Sequence, residues 1–190
     1  MATSVHSILG LNPMPDTLKM RALDAVDTLT DFIGDLIAGV MVLREYVIAR
    51  EKGCLEELTL ITIRKMCLSH VVLTLCKFHE FWQHYKDLVP LEHREAAKDI
   101  LKTLEKKKIK DLRNKWVGHI WDKDRKRPLI HSEIIERFDI LVDGDLSTFL
   151  DWINNPKNNT YPTTVVSIVE EIRNSIMTTH GISLKEIIAR

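Results

Sequence analysis

Glycine, proline and cysteine are all scarce in this chain, and each shortage excludes something. The seven glycines are scattered, so no glycine-rich loop is available to cradle phosphates, and no Gly-x-Ser-x-Gly turn presents a nucleophilic serine. The three cysteines, Cys54, Cys67 and Cys76, are odd in number and form no Cys-x-x-Cys pair. This argues for reduced thiols in a cytoplasmic compartment, with Cys67 and Cys76 as small buried hydrophobes. Net charge is missing too: 27 basic residues stand against 27 acidic ones, so overall charge gives no reason to expect a polyanion. The N-terminus lacks the basic region and apolar run of a secretory leader. The longest tempting apolar run, Met66 to Cys76, is eleven residues, where a bilayer needs about twenty, so no membrane partner is expected. Period-two alternation is absent, and the β-branched residues fall at helical spacing.

What is present is helical periodicity. With 45% hydrophobic residues the chain can bury a core without covalent staples. After an irregular lead-in at 1–15, Asp16-Thr17 can cap a first helix. Its apolar residues recur in threes and fours at Leu18, Ala22, Val26, Leu29, Ile33, Leu36, Val40, Leu43 and Val47, and Gly53 ends it. Gly34 and Gly39 inside it mark a bend or close helix packing. A second helix spans 56–86 with two neighbouring apolar stripes. One runs through Leu58, Ile61, Leu68, Val72, Leu75 and Trp82, the other through Leu60, Ile63, Cys67, Val71, Phe78, Phe81 and Tyr85. Such a helix belongs at the centre of its fold, touching several others.

A third helix starts near Leu91 and continues through Leu101, Leu104, Ile109, Leu112 and Trp116, so that 16–119 holds three long helices. A basic loop at 120–131 follows, then shorter helices over 132–180. Ser132 can cap the first of these, Asp145 the second, and Pro162 stands in the first turn of the last, whose stripe is Val165, Val169, Ile172 and Ile176. With a tail at 181–190, the expectation is a single all-α domain, an up-down bundle of about five to six helices.

His79 and His84 imitate a zinc-protease pair, but five residues separate them by about 140° around a helix, so they do not share a face. His79 continues the stripe through Leu75 and reads as a hydrogen-bonded core histidine. Neither a metal nor another cofactor is expected.

Charge is balanced but segregated. From Lys102 to Arg127 eleven Lys and Arg stand against four Asp and Glu. Lys106, Lys107, Lys108, Lys110, Lys115, Lys123, Arg125, Lys126 and Arg127 make a footprint suited to a phosphate backbone, although charges on a helix face are usually solvation alone. Within it runs Arg113-Asn114-Lys115-Trp116-Val117-Gly118-His119. His119 lies two helical turns after Leu112, on the apolar stripe, and so faces the interior or an interface. Arg113 is rotated about 100° from that stripe, at its edge. Histidine moves protons near neutral pH, and arginine grips phosphate while staying charged. Together they supply what phosphodiester cleavage needs.

Arginine, five residues, then histidine, at the end of a long helix in an all-α chain, resembles the motif of the HEPN superfamily. The string LRNKWVGHIWDKD (112–124) resembles most its abortive-infection subset. The resemblance implies a bundle paired as a homodimer, with two motif copies facing one another in a cleft. It also implies a metal-independent ribonuclease of a toxin–antitoxin or phage-defence system, with RNA as substrate and an antitoxin protein as partner. His119 would handle the proton of the attacking 2′-hydroxyl, Arg113 would stabilise the phosphorane and Asn114 would orient the site. The products would be a cyclic phosphate and a 5′-hydroxyl. On one ideal helix Arg113 and His119 point about 120° apart, so a single chain makes a poor site. The family also contains members that bind nucleotides or RNA without cutting. The alternative expectation is therefore a non-catalytic helical module that binds nucleic acid or a partner protein.

Overall fold

The structure is a computed structural model that describes residues 16–117, 121–122, 126–128 and 130–189. Helix α1 (Asp16–Glu51) and helix α2 (Glu57–Tyr85) form a long antiparallel hairpin. Gly53 turns the chain at a φ of +73°, which lets Cys54 N reach back to Ala49 O at 2.9 Å and close the end of α1. The predicted α1 stripe is the core stripe: Ala22, Val26, Leu29, Leu36, Val40 and Leu43 are all buried. Phe32 meets Phe78 and Phe81 edge-on, at centroid distances of 6.5 and 6.2 Å. Such pairs add to the area they bury. Gly39 marks the closest approach of the two helices, since a Cβ built there would stand 2.9 Å from Val71 Cγ2. Gly34 faces open space. The α2 stripes are buried from Cys67 onward only: Leu58 is 76% exposed, and Leu60, Ile61 and Ile63 are partly buried.

The third helix is not continuous as its periodicity predicts. A 3-10 turn (Leu91–His93) leads into α3 (Arg94–Lys106), and the chain reverses at Lys108, whose φ is +51°. A four-residue α4 (Ile109–Leu112) and a π-helical turn (Arg113–Val117) follow. The spacing explains the break. Leu104 and Ile109 are five apart and cannot share a face of one α-helix. The left-handed step at Lys108 lets both reach the core, where Leu104 is 5% and Ile109 1% exposed.

Within the basic segment, Trp121–Asp122 (β1) and Arg127–Pro128 (β2) pair as a small antiparallel ribbon where a plain loop was expected. Helix α5 (His131–Val142) begins before the expected Ser132 cap. Its first turn is secured by Glu133, whose carboxylate accepts Ile130 N at 2.9 Å. Asp145 caps α6 (Leu146–Ile153) as expected, accepting Thr148 N at 3.1 Å. Pro162 lies outside α7 (Val165–His180), which is capped instead by Thr164 accepting Ser167 N at 3.0 Å. A short α8 (Leu184–Ile188) is held to α1 by Lys19 and Glu186, 2.7 Å apart. Among the described residues the chain is an all-α bundle of eight helices. The count exceeds five to six because the third helix is divided and the tail forms a helix of its own.

Candidate functional site

One face of α2 carries Cys76, His79, Glu80 and Gln83, spaced as one helical row. Opposite it runs the broken segment from Leu104 to Arg113. Between them lies a groove of about 470 Å³, within the size range of small-molecule sites. Cys76 and Ile109 form its buried floor, with Cys76 Sγ 4.0 Å from Ile109 O. Burial pushes the Cys76 thiol up against the opposing pull of Arg113, so it stays a protonated, inert side chain. The groove's cations are Lys108, Lys110 and Arg113, and its carboxylates are Glu80, Glu105 and Asp111. Arg113 is half-buried, and its Nη1 is 4.0 Å from Glu80 Oε1. That pair is long and solvated, and contributes little.

The expected site residues fall into three groups. Arg113, Lys108 and Lys110 line the groove, and Asn114 is exposed just beyond it. His119, Lys123 and Arg125, and the side chain of Lys115, lie outside the described residues. The remaining cations are placed elsewhere. Lys107 is turned inward, donating to Leu141 O at 2.7 Å and to Asp143 at 2.6 Å, with its ammonium 5.6 Å from the Phe149 ring centroid. The hydrogen bond it donates, and then its charge, hold the Asp143 carboxyl below the usual range. Arg127 forks onto Glu133 at 2.7 and 3.0 Å. Lys106 and Lys126 are exposed. Two of the cations counted in the sequence, Lys107 and Arg127, are thus consumed in holding α5 and its entry.

Two histidines were not read as they stand. His79, expected in the core, is half-buried on the groove wall. Among the described residues its ring makes no hydrogen bond. The signal that could have found it was the row Cys76–His79–Glu80–Gln83, which places His79 in one line with two polar side chains. His93, not singled out by its sequence context, is buried between Tyr161 OH at 3.1 Å from Nδ1 and Ser175 Oγ at 2.9 Å from Nε2. A serine on a histidine is the start of a nucleophile–base pair. The third member here is a phenol whose pKa burial raises, helped by Glu171 and Glu92. It stays neutral and cannot stabilise an imidazolium, so the cluster serves as a tie between the Leu91–His93 turn and α7. No group of three His, Cys, Asp or Glu side chains among the described residues is arranged to hold a metal ion.

No protein-family model matches the chain, and no curated protein matches it. Among solved structures, an integron cassette protein from the mobile metagenome of V. paracholerae is similar, with 24% identity and a TM-score of 0.69, covering 86% of this chain and 98% of that one. At that identity the two chains share a fold, and the likeness ends there.

Proposed function

We propose that the chain is a HEPN-like, metal-independent endoribonuclease that acts as a homodimer, in the manner of a cytoplasmic toxin or phage-defence component. The observation that carries this reading is Arg113: the arginine of the Arg-x5-His motif stands on the wall of a ligand-sized groove, between Lys108, Lys110 and the polar row of α2. An RNA phosphate entering there meets a guanidinium that offsets the charge gained as the 2′-oxygen attacks phosphorus. His119 takes the 2′-hydroxyl proton, the bond to the 5′-oxygen breaks, and the leaving oxygen is protonated. The π-helical turn at Arg113–Val117 supports the reading in a second way. Such turns concentrate at functional sites.

Incubating the full chain with RNA in EDTA tests this. The expected products carry 2′,3′-cyclic phosphate and 5′-hydroxyl ends, and both Arg113→Gln and His119→Ala abolish them while remaining folded by circular dichroism. Cleavage that persists in both variants refutes the assignment.

One observation favours the alternative, a non-catalytic module for nucleic acid or a partner protein. The groove's three cations are matched by three carboxylates, and Lys107 and Arg127 are neutralised within the chain. Binding of RNA without any cleavage selects that reading.

A further inference from the structure

His79 is the groove residue with no assigned work. It comes from α2, not from the motif, and it shares the groove with Arg113. It sits one position before Glu80, which is the carboxylate that Arg113 approaches at 4.0 Å. A half-buried imidazole without a hydrogen bond among the described residues shares the groove with a guanidinium whose ion pair to Glu80 is long, and imidazole is a proton-transfer group. We propose that His79 and Arg113 together take one phosphate group in this groove, with His79 as a proton-handling residue that a single chain supplies alongside its own arginine.

The groove's cations and carboxylates are equal in number, so the feature that suits it to a phosphate is the bidentate guanidinium of Arg113 and not net charge. Lys108 and Lys110 stand on the same segment as Arg113, so three cations lie on one wall. The opposing wall contributes one carboxylate, Glu80, with Gln83 a turn further on. Glu105 and Asp111 belong to the same segment as the lysines. An entering phosphate displaces Glu80 from a long ion pair worth little and gains a guanidinium able to bind two of its oxygens. The His79 imidazole, on the α2 wall of the same groove, is placed to donate a hydrogen bond to a third oxygen.

Combined with the ribonuclease reading, on which its catalytic half rests, the step balances simply. His119 takes the 2′-hydroxyl proton as the 2′-oxygen bonds to phosphorus. The bond from phosphorus to the 5′-oxygen breaks, and His79 gives that oxygen a proton. His119 then releases its proton to solvent, and His79 regains one from it. Nothing is oxidised or reduced.

Two arms test the proposal and separate it from the ribonuclease reading. The first titrates inorganic phosphate into the full chain and follows the histidine ring signals by NMR, with the His79 signal assigned from His79→Gln. The expected result is a saturable shift of the His79 signal, absent with chloride at matched ionic strength and lost in Arg113→Gln. A His79 signal that ignores phosphate overturns the proposal, whether or not the chain cuts RNA. The second arm applies if wild type cleaves RNA. His79→Gln should then lower kcat about 100-fold while the Kd for a non-cleavable 2′-deoxy analogue stays within about twofold. An unchanged kcat overturns the proton-handling role. If wild type cleaves no RNA, the ribonuclease reading falls and the phosphate arm alone decides the site.

Discussion

Two glycines on one helix ask opposite things of a methyl group. Gly39 is buried where a Cβ would meet Val71 Cγ2 at 2.9 Å, whereas a Cβ at Gly34 would meet nothing within 4 Å. Replacing a mid-helix glycine by alanine gains about 0.5–1 kcal/mol of backbone entropy. Gly34→Ala should keep that gain. Gly39→Ala should lose it and more, with a net destabilisation of about 1 kcal/mol, because overpacking costs about 1–3 kcal/mol. Urea melts of the two variants should shift in opposite directions. His93 gives a larger effect at the same scale. His93→Ala removes both partners of its tie and leaves Tyr161 and Ser175 facing a cavity, so it should cost about 3 kcal/mol in the same melts.

Helix α8 is a short element whose attachment is charged. Lys19 donates to Glu186, and Ser183 N and Oγ add their own bonds to the same carboxylate. These bonds, with Lys19 first, lower the Glu186 pKa from 4.5 to about 2. A carboxylate depressed on folding stabilises the folded state fully above its unfolded pKa, and the contribution fades as pH falls towards the folded one. Glu186→Gln should therefore lower Tm at neutral pH, and the difference from wild type should shrink between 4.5 and about 2. A difference that stays constant across that window would mean that Glu186 acts by packing alone.

The elements also show where the sequence is legible. The α1 stripe keeps an unbroken step of three and four, and the α7 stripe does too, so their buried faces could be read directly. The third helix could not, because the five-residue step from Leu104 to Ile109 is a local detail that a mostly helical period absorbs. The same detail hid the groove. His79 continues the α2 stripe in sequence, and only the change of direction at Lys108 leaves it on a wall instead of under one. Arg113 was legible because its motif is local. Lys107 was not, since nothing nearby announces that its ammonium would be spent on the far end of α5.

At the scale of the molecule, net neutrality is maintained by division of labour among the cations. Lys107 belongs to the fold, with only 13% of its side chain exposed, while Lys108 and Lys110, in the same short run, line the groove. RNA affinity should sort them. Lys110→Gln should weaken binding and reduce the slope of log K against log salt by about 0.7, the single-strand value per phosphate contact. Lys107→Met should lower thermal stability and leave that slope unchanged. Equal effects on the slope would mean that the footprint acts as diffuse charge, with no role for the groove.

The reversal at Lys108 has a consequence in time. On one side of the groove, amides sit in a 29-residue helix with long ladders above and below them. On the other, they sit in a four-residue helix and a single π turn, with few neighbours to hold them when the first bond opens. Opening there costs less than opening α2, so deuterium should enter 109–113 well before it enters 76–83. One bank of the groove breathes while the other stands still. A phosphate bridging His79 and Arg113 would be read as a slowing of exchange on the moving bank alone.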